Sequence, residues 1–172
     1  PPSGRHSSEA AFVIDFSLTD ENRLVRQSAR AFVEAEILPD IRAWDIEGKA
    51  HPEVFRKMAG LGFLGGPIPE QYGGSGLDYI SFALLCEELE RGDTSVRVVQ
   101  SVHVALNSLT ILQWGTEEQR RRWLVPQARG EKLATFALTE PGAGTDAGSI
   151  QTTDRKSTRL NSSHGYISYA VF

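Results

Sequence analysis

The feature that most limits how this chain can fold is a long apolar stretch between residues 94 and 114. Thr94 and Gly115 stand where a helix would begin and end. A helix that is apolar on nearly all sides lies in the interior of a domain. The stretch therefore predicts a central, largely buried helix that other helices must surround. Its apolar side chains at helical spacing are Val96, Val99, Val102, Leu106, Leu109 and Ile111.

Two helices are predicted nearer the start of the chain. The first begins at Thr19, whose hydroxyl can cap it, and the second begins near Pro52 and stops at Gly60 or Gly62. Pro39 and a polar run through Asp45, Glu47 and Gly48 predict a connector between them. The predicted inward face of the first helix is Leu24, Ala31, Phe32 and Ala35, and that of the second is Val54, Phe55, Met58 and Leu61.

Two more helical patterns flank the central one. Residues 77–91 follow the three-four spacing of an amphipathic helix, and residues 116–119, T-E-E-Q, form a capping box for a helix that ends at Gly130. Together the patterns predict an all-α helical bundle over residues 18–132. The inward side chains of these two helices are Leu77, Ile80, Ser81, Leu84, Leu85, Glu88 and Leu89, followed by Trp123 and Leu124.

Residues 62–76, G-F-L-G-G-P-I-P-E-Q-Y-G-G-S-G, are too rich in glycine and proline to form regular structure. Phe63, Leu64, Ile68 and Tyr72 give this stretch apolar anchors that a solvated linker lacks. It is therefore predicted to be an ordered connector.

The most chemically suggestive stretch is residues 136–146, F-A-L-T-E-P-G-A-G-T-D. Phe136, Ala137 and Leu138 form a short apolar run that predicts a buried strand, and Thr139 places a hydroxyl at its end.

A turn follows this strand at Pro141. Gly142 and Gly144 remove side chains, so that backbone N–H groups can approach an anionic diphosphate, and Thr145 adds a hydroxyl donor. Taken alone, a glycine-rich turn of this kind is more often an ordinary hairpin turn.

As a whole, the stretch resembles the flavin-binding signature of the acyl-CoA dehydrogenase family: a small or aromatic pair, an apolar residue, then T-E-P-x-x-G-[ST]-D. The connector P-E-x-Y-G-G-x-G and the helix end E-E-L-E-R resemble the same family. The resemblance covers roughly Leu18 to Thr153. It implies an N-terminal helical domain over residues 18–132 and the first strand or two of a β-barrel domain over residues 133–153.

The resemblance also implies a cofactor, FAD, and an acyl-CoA substrate that is dehydrogenated between its α and β carbons. It assigns flavin contacts to Phe136, Ala137, Leu138 and Thr139. It assigns the flavin pyrophosphate and the edge of the acyl-CoA site to Gly144 and Thr145.

The family's catalytic base is a glutamate in a C-terminal domain that this sequence does not contain, so no catalytic residue is assigned within it. We expect the truncated chain to be inactive. For the parent protein, the resemblance implies an electron-transferring flavoprotein as electron acceptor and a homotetramer. Two alternatives remain: a flavin-dependent oxidase or monooxygenase of the same fold, and a non-catalytic protein that binds flavin or acyl-CoA.

Two polar residues of the central helix have competing interpretations. Arg97 aligns with a position at which glutaryl-CoA dehydrogenases, which this chain resembles here, hold the distal carboxylate of the substrate, a task that suits a guanidinium fork. An i,i+4 ion pair with Asp93 is the favoured alternative. His103 has no carboxylate or cysteine near it in sequence to activate it, which favours a hydrogen-bonded packing residue over a base.

Composition excludes several classes of function. A net charge of -4 offers no basic surface for nucleic acid, and no stretch has the 18 or so apolar residues of a membrane helix. Cys86 is the only cysteine, so the chain can form no internal disulfide and no cysteine-rich metal site, and Cys86 is expected to be a small core residue. We expect a bacterial cytoplasmic protein, or alternatively one from the mitochondrial matrix.

The two ends of the chain are expected not to belong to the fold. Residues 1–17 are polar at their start and are expected to be disordered. Residues 154–172 depart from the family and resemble a translated sequencing-library adapter, D-R-K-S-T-R-L-N-S-S-H, with constant sequence behind it. A polar native tail is the less favoured interpretation.

Overall fold

The computed structural model describes residues 16–49 and 51–153, and its helices, which lie between Asp20 and Ala128, form the predicted all-α bundle. The expected adapter-derived tail and all but two residues of the expected disordered start lie outside the described residues. Two π-helical segments, Val102–Ser108 and Arg120–Leu124, join α5 to α6 and α7 to α8, so each pair runs on as one helix. The helices are α1 (Asp20–Glu36), α2 (Ile41–Glu47), α3 (Pro52–Gly60), α4 (Tyr79–Gly92), α5 (Thr94–Ser101), α6 (Leu109–Trp114), α7 (Glu117–Gln119) and α8 (Val125–Ala128).

The main core lies between α1, α3, α4 and the start of α5. α1 and α4 pack so closely that a Cβ on Gly92 would lie 2.6 Å from Cγ1 of Val33. Because glycine has no side chain, the end of α4 can approach the last turn of α1. The buried side chains of this core include Ala29, Phe32, Val33, Ile37, Val54, Met58, Leu85 and Leu89.

The predicted inward face of α1 is wrong at three of its four positions. Only Phe32 is buried, whereas Leu24, Ala31 and Ala35 are exposed. The rotation of α1 is fixed by Asn22, whose side-chain amide donates to Asp78 at 3.1 Å and to the Ser81 hydroxyl at 2.9 Å. This polar contact with the start of α4 turns the Ala29 and Val33 face inward.

The segment between α1 and α3 was predicted to be a connector, but it contains α2. Ile41 and Trp44 pack partly against the main core, so tertiary contacts stabilise a helix that a polar sequence does not suggest. The helix ends at Gly48, which adopts φ 62°. The predicted helix from Pro52 to Gly60 is confirmed.

The central helix is confirmed, but its cap and its outer face differ from the prediction. Asp93 rather than Thr94 caps α5, since its carboxylate accepts from the Val96 N–H at 2.7 Å. One face is buried and contains polar side chains, among them Gln100 and His103. The opposite face is open, and Leu106, predicted to be inward, is 45% exposed.

The connector is ordered, as predicted. Its four apolar anchors are buried, and a Cβ on Gly74 would lie 2.0 Å from the Ile68 carbonyl oxygen, so the backbone passes itself too closely for any side chain. The Tyr72 hydroxyl donates to Glu117 at 2.8 Å, which ties the connector to α7. In residues 16–49 and 51–153, no helix is long and apolar enough to cross a membrane.

Candidate functional site

The candidate flavin segment leaves the helical bundle at Ala134, which is buried. Its backbone N–H donates to Nδ1 of His103 at 3.0 Å. Leu133, the preceding residue, packs partly against the main core. The start of the segment is therefore fixed to the bundle.

The predicted buried strand over Phe136, Ala137 and Leu138 is not formed. Phe136 is 42% and Leu138 47% exposed, and residues 135–139 make no hydrogen bond to any other described residue. A strand requires a neighbouring strand for its backbone hydrogen bonds, and the described residues provide none. Thr139 is exposed at the end of this unpaired stretch.

The signature turn is closed by its own backbone. The N–H of Glu140 donates to the carbonyl of Ala143 at 3.0 Å, and the Ala143 N–H returns a bond of 3.1 Å. The Glu140 carboxylate then accepts from the backbone N–H groups of Gln151 and Thr152 at 2.9 and 2.8 Å and also from the Thr152 hydroxyl. These bonds lower the pKa of Glu140, and the bond from the Thr152 hydroxyl has the largest effect.

The end of the signature has a second acidic residue with a structural task. Asp146 accepts from the Gly148 N–H at 3.1 Å and from the Ser149 hydroxyl at 2.5 Å, which starts a short 3₁₀ turn. Neither Glu140 nor Asp146 was singled out as a functional residue from the sequence. The sequence signal that could have identified the Asp146 turn is its spacing from Ser149, which is typical of an Asx turn. For Glu140, the signal is the presence of Thr152, whose hydroxyl the carboxylate binds when the chain returns past the turn.

Space is open at both signature glycines. A Cβ on Gly142 or Gly144 would meet no atom within 4 Å, and neither glycine has a positive φ. Neither packing within the described residues nor backbone strain therefore requires glycine there. The space leaves the backbone next to the exposed Thr145 accessible to an external group.

His103 is the hydrogen-bonded packing residue that the sequence predicted. It is fully buried, and its Nε2 lies 3.0 Å from the carbonyl of Gln127. Because Nδ1 accepts from the Ala134 N–H, Nε2 carries the proton and donates to Gln127. Burial lowers the pKa of His103, and the bond to Gln127 opposes this shift. With both nitrogens engaged, the neutral ring cannot act as a base.

Arg97 does not form the predicted ion pair with Asp93. Its Nε lies 2.5 Å from the carboxylate of Glu90, and its Nη1 lies 3.1 Å from the Ser101 hydroxyl. The bond from Arg97, followed by one from the Thr94 hydroxyl, lowers the pKa of Glu90. No hydrogen bond or ion pair between described residues joins Arg97 to the flavin segment.

A cavity of about 320 Å³ lies between α2, α3 and the first turns of α5, at a place for which no sequence motif predicted a site. Trp44 and His51 stack there with ring centroids 4.6 Å apart. None of the predicted site residues lines this cavity. Within the described residues, no group of three or more His, Cys, Asp or Glu side chains could hold a metal ion.

Comparisons with known proteins agree with the motifs. The family model described as the acyl-CoA dehydrogenase N-terminal domain matches residues 19–131. The short-chain specific acyl-CoA dehydrogenase of Clostridium acetobutylicum is 42% identical over 139 residues, which are 81% of this chain and 37% of that protein. The chain thus spans little more than a third of that relative's length.

Solved structures of acyl-CoA dehydrogenases contain a region with the same fold as this chain. The butyryl-CoA dehydrogenase of Megasphaera elsdenii matches with a TM-score of 0.77 and 39% identity over 81% of this chain and 37% of that one. A glutaryl-CoA dehydrogenase from Mycobacterium smegmatis in complex with FADH2 matches with a TM-score of 0.74 and 32% identity, covering 78% of this chain and 35% of the other.

Proposed function

The chain belongs to the acyl-CoA dehydrogenase family, whose cofactor is FAD, and on that premise we propose that it is the amino-terminal part of an enzyme that dehydrogenates an acyl-CoA thioester between its α and β carbons. The observation that carries the proposal is the signature segment. Its backbone makes no hydrogen bond to another described residue over residues 135–139, and space is open beside Gly144. Both features suit a segment completed by a ligand and by further strands.

Phe136, Ala137, Leu138 and Thr139 are proposed to hold the flavin ring system. Their backbone groups make no hydrogen bond to the described residues, so they are free to bind the ring edge, and the exposed Thr139 hydroxyl can donate to it. Residues 133–153 would then start the β-barrel domain, whose neighbouring strands would pair the remaining backbone groups.

Gly144 and Thr145 are proposed to reach the flavin pyrophosphate and the edge of the acyl-CoA site. The bound flavin supplies the hydride acceptor for the β-hydrogen. The protein's own tasks are to orient the thioester and to take the α-proton. We assign the second task to a glutamate outside this sequence, and therefore expect the 172-residue chain alone to be inactive.

The test is to express the full-length protein from its source gene and to measure bound FAD and reduction of the flavin by acyl-CoA. Stoichiometric FAD and its reduction by an acyl-CoA are expected. FAD without reduction by any acyl-CoA would instead support a non-catalytic flavin-binding protein. Re-oxidation by O₂ at a rate that matches turnover would support the oxidase or monooxygenase alternative. Activity of the 172-residue chain itself would refute its expected inactivity.

A dicarboxylyl-CoA is a second candidate substrate class, because Nη2 of Arg97 is left free by the described residues. The predicted ion pair with Asp93 is not formed, because the Asp93 carboxylate caps α5, but Arg97 pairs with Glu90 instead, so a purely structural role of this arginine is the alternative. Arg97 is held by Glu90 and Ser101 through Nε and Nη1, and Nη2 makes no hydrogen bond to a described residue. A fixed guanidinium with a free N–H edge can bind a carboxylate.

An electron-transferring flavoprotein as electron acceptor and a homotetrameric parent complete the proposal. Steady-state reduction of that flavoprotein and sedimentation of the full-length protein test them. The bacterial cytoplasm is the proposed compartment, and the mitochondrial matrix is the alternative. The genome that contains the source gene decides between them.

A further inference from the structure

His103 occupies the point at which the helical bundle meets the flavin segment. Its ring is fully buried, its Nε2–H donates to the Gln127 carbonyl in α8, and its Nδ1 accepts from the Ala134 N–H, each at 3.0 Å. The two contacts lie on either side of the turn at Gly130, which has φ 68°. One side chain of the central helix therefore holds both ends of this turn.

A neutral imidazole suits this position. It presents one donor and one acceptor in a fixed plane, which is what a backbone carbonyl and a backbone N–H require. Ala134 is buried, so its N–H needs a partner inside the protein. His103 provides that partner, and beyond Ala134 the backbone has no further hydrogen bond to a described residue until Glu140.

Ala134 is therefore the last fixed backbone point before the exposed residues of the signature. Phe136 follows it by two residues, so a shift of Ala134 would be passed directly to the flavin-binding backbone. Small displacements of a binding group have large effects on a bound reaction partner.

We propose that His103 is a positioning residue of the flavin site, which by accepting the Ala134 N–H sets where and in which orientation residues 136–139 leave the bundle. This role rests on the proposed function, since the orientation matters only if the segment binds flavin. His103 itself touches neither the cofactor nor the substrate. It acts through Ala134, and its bond to Gln127 serves to hold the ring in the required orientation.

Two substitutions separate this role from simple packing. His103→Asn keeps an acceptor close to the Nδ1 position and loses the ε donor, whereas His103→Gln keeps a donor close to the Nε2 position and loses the acceptor. Both variants are neutral amides that leave part of the ring volume unfilled. A packing role predicts similar effects for the two, and the positioning role predicts that only Gln disturbs Ala134.

The first measurement is amide hydrogen exchange on the 172-residue chain. We expect the Ala134 amide to exchange roughly tenfold faster in His103→Gln than in His103→Asn, the effect of one lost hydrogen bond, with equal exchange at Val33 and Leu89 in the main core. Equal exchange at Ala134 overturns the proposal. Should His103→Gln fail to fold, His103→Asn decides alone: wild-type protection at Ala134 supports the proposal, and lost protection overturns it.

The second measurement is the FAD dissociation constant of the full-length protein. The positioning role predicts weaker FAD binding in His103→Gln than in His103→Asn, by about tenfold, at matched thermal stability. If the wild type binds FAD and the two variants bind it equally, the positioning role is wrong and the proposed function stands. If the full-length wild type binds no FAD, the proposed function fails and this role fails with it.

Discussion

Arg30 in α1 donates two hydrogen bonds to the carboxylate of Glu88 in α4, from Nε to Oε2 at 3.1 Å and from Nη2 to Oε1 at 2.5 Å. Glu88 is only 1% exposed, and Arg91 contributes a further bond of 3.1 Å to its Oε2. The bonds from Arg30 are the main reason that the pKa of Glu88 is lowered, against the opposing effect of burial. A carboxylate at the helix interface thus stays charged because two arginines satisfy it.

Removing one of these arginines should therefore cost stability. We expect Arg30→Ala to lower the free energy of unfolding clearly more than loss of an exposed ion pair does, because it removes two hydrogen bonds from the buried Glu88 carboxylate. The matched control is Arg56→Ala, whose partner Glu53 is exposed, with an expected cost below about 1 kcal/mol. Urea denaturation measures both, and equal costs would contradict a special role for Glu88.

Acid should destabilise the chain in two separate steps. Burial lowers the pKa of His103, so the unfolded chain, with an ordinary value of about 6.5, binds its proton first as the pH falls. The contribution of neutral His103 to stability is therefore fully present above about pH 6.5 and is lost as the pH falls below it. Glu88 and Asp78 have lowered pKa values, so their contributions are lost only below about pH 4.

His103→Asn isolates the first step. This variant should lose the slope that begins below about pH 6.5 while keeping the steeper loss below about pH 4, as measured by urea midpoints across the range. An unchanged slope would show that another group titrates there.

The close backbone passage in the connector predicts a strong effect at Gly74. A Cβ there would lie 2.0 Å from the Ile68 carbonyl oxygen, and backbone cannot move as a side chain tip can. Gly74→Ala should cost at least about 2 kcal/mol, whereas Gly142→Ala, where a Cβ meets nothing within 4 Å, should cost almost nothing. Thermal melts of the two variants compare them directly, and similar melting temperatures would refute the prediction.

Filling the open space at Gly144 should prevent FAD binding without unfolding the protein. In the full-length protein, Gly144→Val is expected to weaken FAD binding by at least about 100-fold, roughly 3 kcal/mol, by steric exclusion of the pyrophosphate. Gly60→Val is the matched control, because its Cβ position in α3 is equally open and far along the chain from the signature. Wild-type FAD content in Gly144→Val would place the pyrophosphate elsewhere.

Arg97 offers a test of the substrate class. If it holds a distal carboxylate, Arg97→Ala in the full-length protein should lower kcat/KM for glutaryl-CoA by about 100-fold, from roughly 3 kcal/mol of charge pairing, and leave butyryl-CoA turnover nearly unchanged. Arg121→Ala, on the exposed pair with Glu117, is the control for general loss of an arginine. Equal losses on both substrates would assign Arg97 to structure alone.

Local chemistry made several features predictable from the sequence. Thr19 and Thr116 each form a capping box with the residue three positions later, Asn22 and Gln119, because a cap needs only neighbours along the chain. The ordered connector was predictable from its apolar anchors. The family was predictable from the spacing of the signature residues, and the family model, which matches residues 19–131, and the relatives show that family.

Features that depend on distant partners were not predictable. Which face of α1 is buried follows from the contact of Asn22 with Asp78 and Ser81. Arg97 forms an ion pair with Glu90, while the Asp93 carboxylate caps α5 and does not pair with Arg97.

The sequence by itself determined most of the helices, the caps at Thr19 and Thr116 and the family, because these depend on short-range periodicity and on the spacing of residue types within one segment. Only the tertiary structure decided that residues 136–138 are exposed and pair with no other part of the chain that the structure describes, since a strand takes its hydrogen bonds from a neighbour that no local pattern can supply. The tertiary structure likewise decided that His103 and Ala134, far apart in sequence, meet at the start of that segment.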